Sequence, residues 1–168
     1  MKSRSNDRRA ARPRPDAGFS LAELAVVLVV FGILSAIALP GLNKFLRSLD
    51  LNGQVQSSAA TLRVVRQRAI TENNDYCATY DATARAFVWF DDDNNDGVKQ
   101  STEKSGQTQG LSSWITVTES VSNPFSSSTL IFYPNGSTNS SGSLIFSNAD
   151  GYSRSLSVVR PTGMVTVQ

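Results

Sequence analysis

Gly18-Phe19-Ser20-Leu21-Ala22-Glu23 opens an apolar run, LAVVLVVFGILSAIAL over residues 24–39, that stops at Pro40-Gly41. Over residues 19–39 Glu23 carries the only charge. A helix of that length, rising about 1.5 Å per residue, spans roughly 30 Å, the thickness of a bilayer's hydrocarbon core. Lys2, Arg4, Arg8, Arg9, Arg12 and Arg14 precede the run. By the positive-inside rule they stay in the cytoplasm, which places the body of the chain across the membrane, in the periplasm or outside.

Those six cations belong to a total of 16 Lys and Arg set against 14 Asp and Glu in 168 residues. Beyond residue 18 the chain carries 10 cations and 12 anions, so its basic character resides in the leader. The length suits one domain plus an appendage. There is no histidine, which excludes imidazole bases and His-ligated zinc. The single cysteine, Cys77, excludes an internal disulfide and a Cys-x-x-Cys site, and is expected to be a buried free thiol.

Two processing routes fit the N-terminal segment. A secretory signal peptide would be cut after Ala36-Ile37-Ala38 and release a soluble domain. Alternatively the leader is residues 1–18 and the apolar helix stays on the mature chain.

The second route is the one that the motif favours. Gly18-Phe19-Ser20-Leu21-Ala22-Glu23 before an apolar run and Pro40 resembles the N-terminal signature of type IV pilins and pseudopilins. The resemblance implies cleavage after Gly18 by prepilin peptidase, N-methylation of Phe19, and an assembly role for Glu23 through the Phe19 amine of a neighbouring subunit. A carboxylate inside an apolar segment costs about 2.5 kcal/mol or more, so Glu23 needs a partner. The plainer role is that of an anion in the first helical turn, favoured by the helix dipole.

After Pro40 the apolar residues form a stripe: Leu42, Phe45, Leu46, Leu49, Val55, Ala59, Leu62, Val65, Ala69 and Ile70. This predicts an amphipathic helix over residues 42–72, following a transmembrane helix over 19–41, with Pro40 a kink or melting point and Gly53 a second weak point. Arg63, Arg66 and Arg68 read as a solvated helix face. From residue 73 the grammar is that of strands, at 76–80, 85–90, 113–118, 129–133, 143–147, 155–160 and 164–167, separated by turn residues such as Pro134-Asn135-Gly136 and Pro161-Thr162-Gly163. Residues 122–142, Ser-rich, otherwise read as loop. Trp89, Phe132 and Phe146 are expected core aromatics. The fold class is α+β: a pilin-like long N-terminal helix packed on an antiparallel sheet or small sandwich.

Phe132-Tyr133-Pro134-Asn135-Gly136 and the closing Val158-Val159-Arg160-Pro161-Thr162-Gly163-Met164-Val165-Thr166-Val167 are similar to segments of the GspH/FimT family of minor pseudopilins and minor pilins. What this implies is a structural subunit without enzymatic activity, anchored by one pass in the bacterial inner membrane with a periplasmic domain over 73–168. Its partners would be other pseudopilin or minor pilin subunits, prepilin peptidase and an inner-membrane assembly platform. The leading expectation is a subunit of the type II secretion pseudopilus; the alternative is a minor pilin of a type IV pilus serving assembly, adhesion or DNA uptake. A soluble exported calcium-binding domain is the third. Nucleic acid is an unlikely partner: where FimT-like relatives carry Gly-Arg-x-Arg, this chain has Gly163-Met164-Val165-Thr166.

One loop carries metal chemistry. Asp92-Asp93-Asn94-Asn95-Asp96-Gly97, then five residues and Glu103, fits D-x-[DN]-x-[DN]-G-x5-E. Calcium ligands would be Asp92, Asn94, Asp96, the Val98 carbonyl and Glu103, with Gln100 or a water completing the shell. Against it stand a preceding strand instead of a helix, and Lys99 at a position usually apolar. The other reading is an acidic hairpin loop kept soluble by its charges.

Overall fold

The computed structural model describes residues 18–168. The leader cations, with all of the leader before Gly18, lie outside the described residues. Two compact units divide the chain, Met1–Gly41 and Leu42–Gln168.

In the first unit the helix α1, Leu21–Glu72, begins. Its apolar side chains find no partner there: Phe31 is 69% exposed and Ile37 74%. A helix from a soluble core buries one face, whereas this stretch buries none. It is the one helix among the described residues that is long and apolar enough to cross a membrane. The expected melting at Pro40 is not found, because α1 stays helical through Pro40, Gly41 and Gly53. Proline removes one intrahelical bond, and the turns on either side hold the backbone.

In the second unit the buried stripe of α1 is Leu51, Val55, Ala59, Leu62, Val65 and Ala69, at steps of three and four. Each larger aliphatic side chain buried there contributes about 1.5–3 kcal/mol. The stripe starts later than the sequence reading has it. Leu42, Phe45, Leu46 and Leu49 are exposed, since the hydrophobic cluster takes in the helix only from Leu51 onward. Ile70 is also on the exposed side.

Eight strands follow: β1 Asp75–Asp81, β2 Ala86–Asp92, β3 Ser105–Gln107, β4 Ile115–Glu119, β5 Thr129–Phe132, β6 Gly142–Asn148, β7 Ser153–Val159 and β8 Met164–Val167. They form two antiparallel four-stranded sheets, ordered β3-β2-β1-β5 and β4-β6-β7-β8. Both sheets contribute to one hydrophobic cluster with the helix stripe, through Tyr76, Phe87, Leu130 and Phe132 from the first and Phe146, Leu156 and Val158 from the second. Phe132 and Phe146 are core as expected; Trp89 is only half-buried, its ring against Gly106 and under the Arg68 guanidinium at 4.6 Å.

Two local features depart from the sequence reading. β3 is not among the strands the sequence predicts: Ser-Gly-Gln has little strand propensity, and it is held by pairing with β2 at Val88, Trp89 and Phe90. Residues 122–142 are tied down more firmly than a loop. Asn139 donates from its side chain to the Thr129 carbonyl and accepts from the Ile131 amide, closing the outer edge of β5 as a strand would. Cys77 is a buried free thiol, as read.

Candidate functional site

Ser20 and Glu23 form a reciprocal pair at the start of α1. The Ser20 amide and hydroxyl both donate to Glu23 Oε2 at 2.9 Å, and the Glu23 amide donates back to Ser20 Oγ at 3.2 Å. This is a capping box, with Ser20 as N-cap and Glu23 three residues on, satisfying two amides that the first turn leaves without partners. The Ser-x-x-Glu spacing announces it, and the sequence reading did not use it. Glu23 therefore has a partner inside its own chain. Gly18 and Phe19 precede the helix, and Phe19 is 90% exposed.

The α1 arginines do more than face solvent: Arg66 and Arg68 are half-buried, and Arg63, though exposed, reaches a distant carbonyl. Arg63 donates from Nε and from Nη2 to the Val165 carbonyl, at 3.1 and 2.9 Å. Arg66 donates from Nε to the Gly136 carbonyl at 2.9 Å. Guanidinium groups suit this task, since their donors form a rigid fork. The partners lie 102 and 70 residues away in sequence, so no local pattern shows them. Gly163 sits against the same group at φ +59°, and a Cβ there would overlap the Gly136 carbonyl oxygen. The Phe-Tyr-Pro-Asn-Gly and Pro-Thr-Gly segments thus meet at one arginine of the helix.

The acidic loop joins β2 to β3. β2 runs to Asp92, two residues past the predicted end, and the Asp91 amide donates to the Lys104 carbonyl at 2.8 Å. That bond extends the ladder one step beyond Phe90 and Ser105, so Asp92 and Glu103 come next as facing residues. Asp92 is 1% exposed and Glu103 7%, while Asp93, Asp96 and Lys99 are exposed, as the reading of an acidic hairpin loop has them. Asp92 accepts from the amides of Asp96 and Gly97, Asn94 from Asp96, and Asp96 from Val98. Glu103 Oε2 accepts from the Gln100 amide at 2.7 Å, while Glu103 Oε1 is buried with no hydrogen-bond partner. Asp75 and Cys77 lie on the same sheet face, paired in register with Asp92 and Phe90. The Cys77 thiol is pushed up by burial, then by the charge of Asp92 and its hydrogen bond, with Asp75 and Glu103 adding to it. Among the described residues, no three His, Cys, Asp or Glu groups are gathered closely enough to hold a metal by themselves.

Comparison with known proteins places this geometry. The family model described as Type II transport protein GspH matches residues 54–163, and the prokaryotic N-terminal methylation motif matches residues 13–39. The class is that of pilin-like structural subunits carrying a prepilin-like N-terminal signal. Within it, the chain belongs to the GspH/FimT family of pseudopilins and minor pilins, and is a structural subunit and not an enzyme. Among solved structures, the minor pseudopilin EpsH of the Vibrio cholerae type II secretion system superposes with a TM-score of 0.54 at 14% identity, over 71% of this chain and 96% of that one. The Pseudomonas aeruginosa type IV minor pilin FimU superposes with a TM-score of 0.55 at 16% identity, over 74% and 92%. At these identities the likeness is one of fold. No curated protein matches in sequence.

Proposed function

We propose that the protein is a minor pseudopilin of a type II secretion pseudopilus, helping folded proteins cross the outer membrane. The observation that carries this reading is the match of residues 54–163 to the GspH family together with the methylation motif on an unburied apolar helix. The chain would be cut after Gly18, methylated on Phe19, held in the inner membrane by one pass, and assembled with other pseudopilins on a membrane platform. Its domain would lie in the periplasm. The alternative, a type IV minor pilin, shares the fold and the N-terminal motif. Against a DNA-uptake role stand Met164 and Thr166 where arginines would be, and the formal charge of −2 beyond residue 18.

Deletion of the gene in its own bacterium tests the reading. The expected result is that exported proteins accumulate in the periplasm while surface pili remain normal. Lost pili or lost DNA uptake with normal secretion would place the protein in a pilus instead. Complementation with Glu23→Val separates processing from assembly: the expected result is a cleaved, membrane-bound subunit that does not restore secretion.

A further inference from the structure

Four strands stand at the margins of the two sheets, and three of them offer a newcomer little. Asn139 occupies the outer groups of β5, Arg63 covers β8 at the Val165 carbonyl, and β3 is three residues long. β4 is different. The Ser120 amide donates to the Ser143 carbonyl in the register of the β4–β6 ladder, so the even-numbered residues of β4 bond to β6 and the odd-numbered ones turn their backbone groups away from it. At Ile115 those groups are engaged: its amide donates to the Ser112 carbonyl and its carbonyl accepts from Arg85. At Val117 and Glu119 they have no hydrogen-bond partner among the described residues. Nor does β4 contain a proline, lysine or glycine that would discourage pairing.

A cleft of about 210 Å³ between the sheets opens beside this free edge, with Val117 and Glu119 on its wall. The core residues Leu62, Phe87, Leu130 and Leu144 reach it and make its lining largely apolar. Glu119 is the one charged residue on that lining; it is exposed and forms no ion pair among the described residues. We propose that the edge and the cleft together bind an extended segment of another protein chain, which adds a strand to the sheet beside β4. The incoming strand bonds to the free groups of Val117 and Glu119 and, because its side chains alternate, presents every second one to the cleft. Its chemistry is thereby set: apolar residues at alternate positions, and a lysine or arginine facing Glu119. A small apolar molecule would leave the backbone groups unanswered. A second copy of this chain laid on its own β4 would bring another carboxylate to Glu119 in place of a cation. The inference holds whichever filament the subunit joins.

The test uses the full-length protein in detergent micelles, titrated with a capped heptapeptide of alternating valine and threonine with a lysine at each end, and followed by NMR of the backbone amides. Saturable binding is expected, with a dissociation constant of roughly 1 mM or tighter. At saturation the Val117 and Glu119 amides are expected to exchange with solvent at least about five-fold more slowly. Glu119→Lys leaves the backbone as it is: it is expected to weaken binding of the lysine-ended peptide about three-fold or more, and to favour the same peptide ended in glutamate. Glu119→Pro removes an amide that the β4–β6 ladder does not use, and is expected to weaken both peptides at least about five-fold. If that variant does not fold, the charge exchange with Glu119→Lys carries the comparison. Absence of saturable binding, or binding that leaves exchange at Val117 and Glu119 unchanged, would overturn the proposal. So would equal affinity of Glu119→Lys for both peptides. Protection of the same two amides that rises with protein concentration alone would overturn the assignment to a different chain and put a second copy there.

Discussion

Gly163→Ala tests whether the closing hairpin is held to the helix as the structure has it. Gly163 has φ +59°, where a side chain crowds the backbone at a cost of about 1–2 kcal/mol. The added Cβ also overlaps the Gly136 carbonyl oxygen and comes within 2.8 Å of Arg66 Nε. The carbonyl is the one that accepts from Arg66, so relief of the overlap breaks that bond. Arg66 is half-buried, and solvent reduces the bond to about 1 kcal/mol. The total of roughly 2–3 kcal/mol corresponds to a melting temperature lower by about 6–9 °C for a domain of this size. Thermal unfolding followed by circular dichroism measures it. Arg66→Ala alone is expected to cost about 1 kcal/mol, and Gly163→Ala in that background to cost less than in the native chain, because the two share one bond. A Gly163→Ala protein melting within 2 °C of the native one, or full additivity of the two substitutions, would refute the clamp.

Two further predictions concern the first sheet. Burial, and then the charge of Asp92, hold the Asp75 carboxyl above its ordinary range. The folded state binds that proton more tightly than the unfolded chain, so the stability from Asp75 is present below its unfolded value and lost as pH rises through the folded one. Asp75→Asn is therefore expected to raise the melting temperature at about pH 7 and to leave it unchanged near pH 3, as a pH series of melts checks. Asn139→Ala removes the bonds to Ile131 and Thr129, and is expected to cost about 2 kcal/mol and to speed hydrogen exchange of the Ile131 amide. Unaltered exchange there would show that the edge of β5 is closed by other means.

The N-terminal motif, the helix and seven of the eight strands are legible because each is written in local chemistry: unbroken apolarity, three- and four-residue steps, β-branched runs between turn residues. β3 is not, because Ser105, Gly106 and Gln107 become a strand only through pairing with β2. The roles of Arg63 and Arg66 are hidden for the same reason, since their acceptors lie on strands and turns far along the chain. The acidic loop is legible as a pattern but not as an environment. Burial of Asp92 and Glu103 follows from two extra residues on β2 and one extra ladder bond, which turn surface charges into enclosed ones.

The bonds between Ser20 and Glu23 would set the strength of a filament joined through this carboxylate. In a filament assembled as proposed, a neighbour's amine taking the Glu23 carboxylate would not meet a bare anion; it would displace donors already in place. The free energy of the joint is then the difference between two satisfied states, and not the full attraction of opposite charges in lipid. Such an exchange gives a contact of modest affinity with a ready way back, since the released subunit closes its own ring again. A polymer made through joints of this kind would lengthen and shorten under small changes in driving force, and each released subunit would regain both bonds to Ser20.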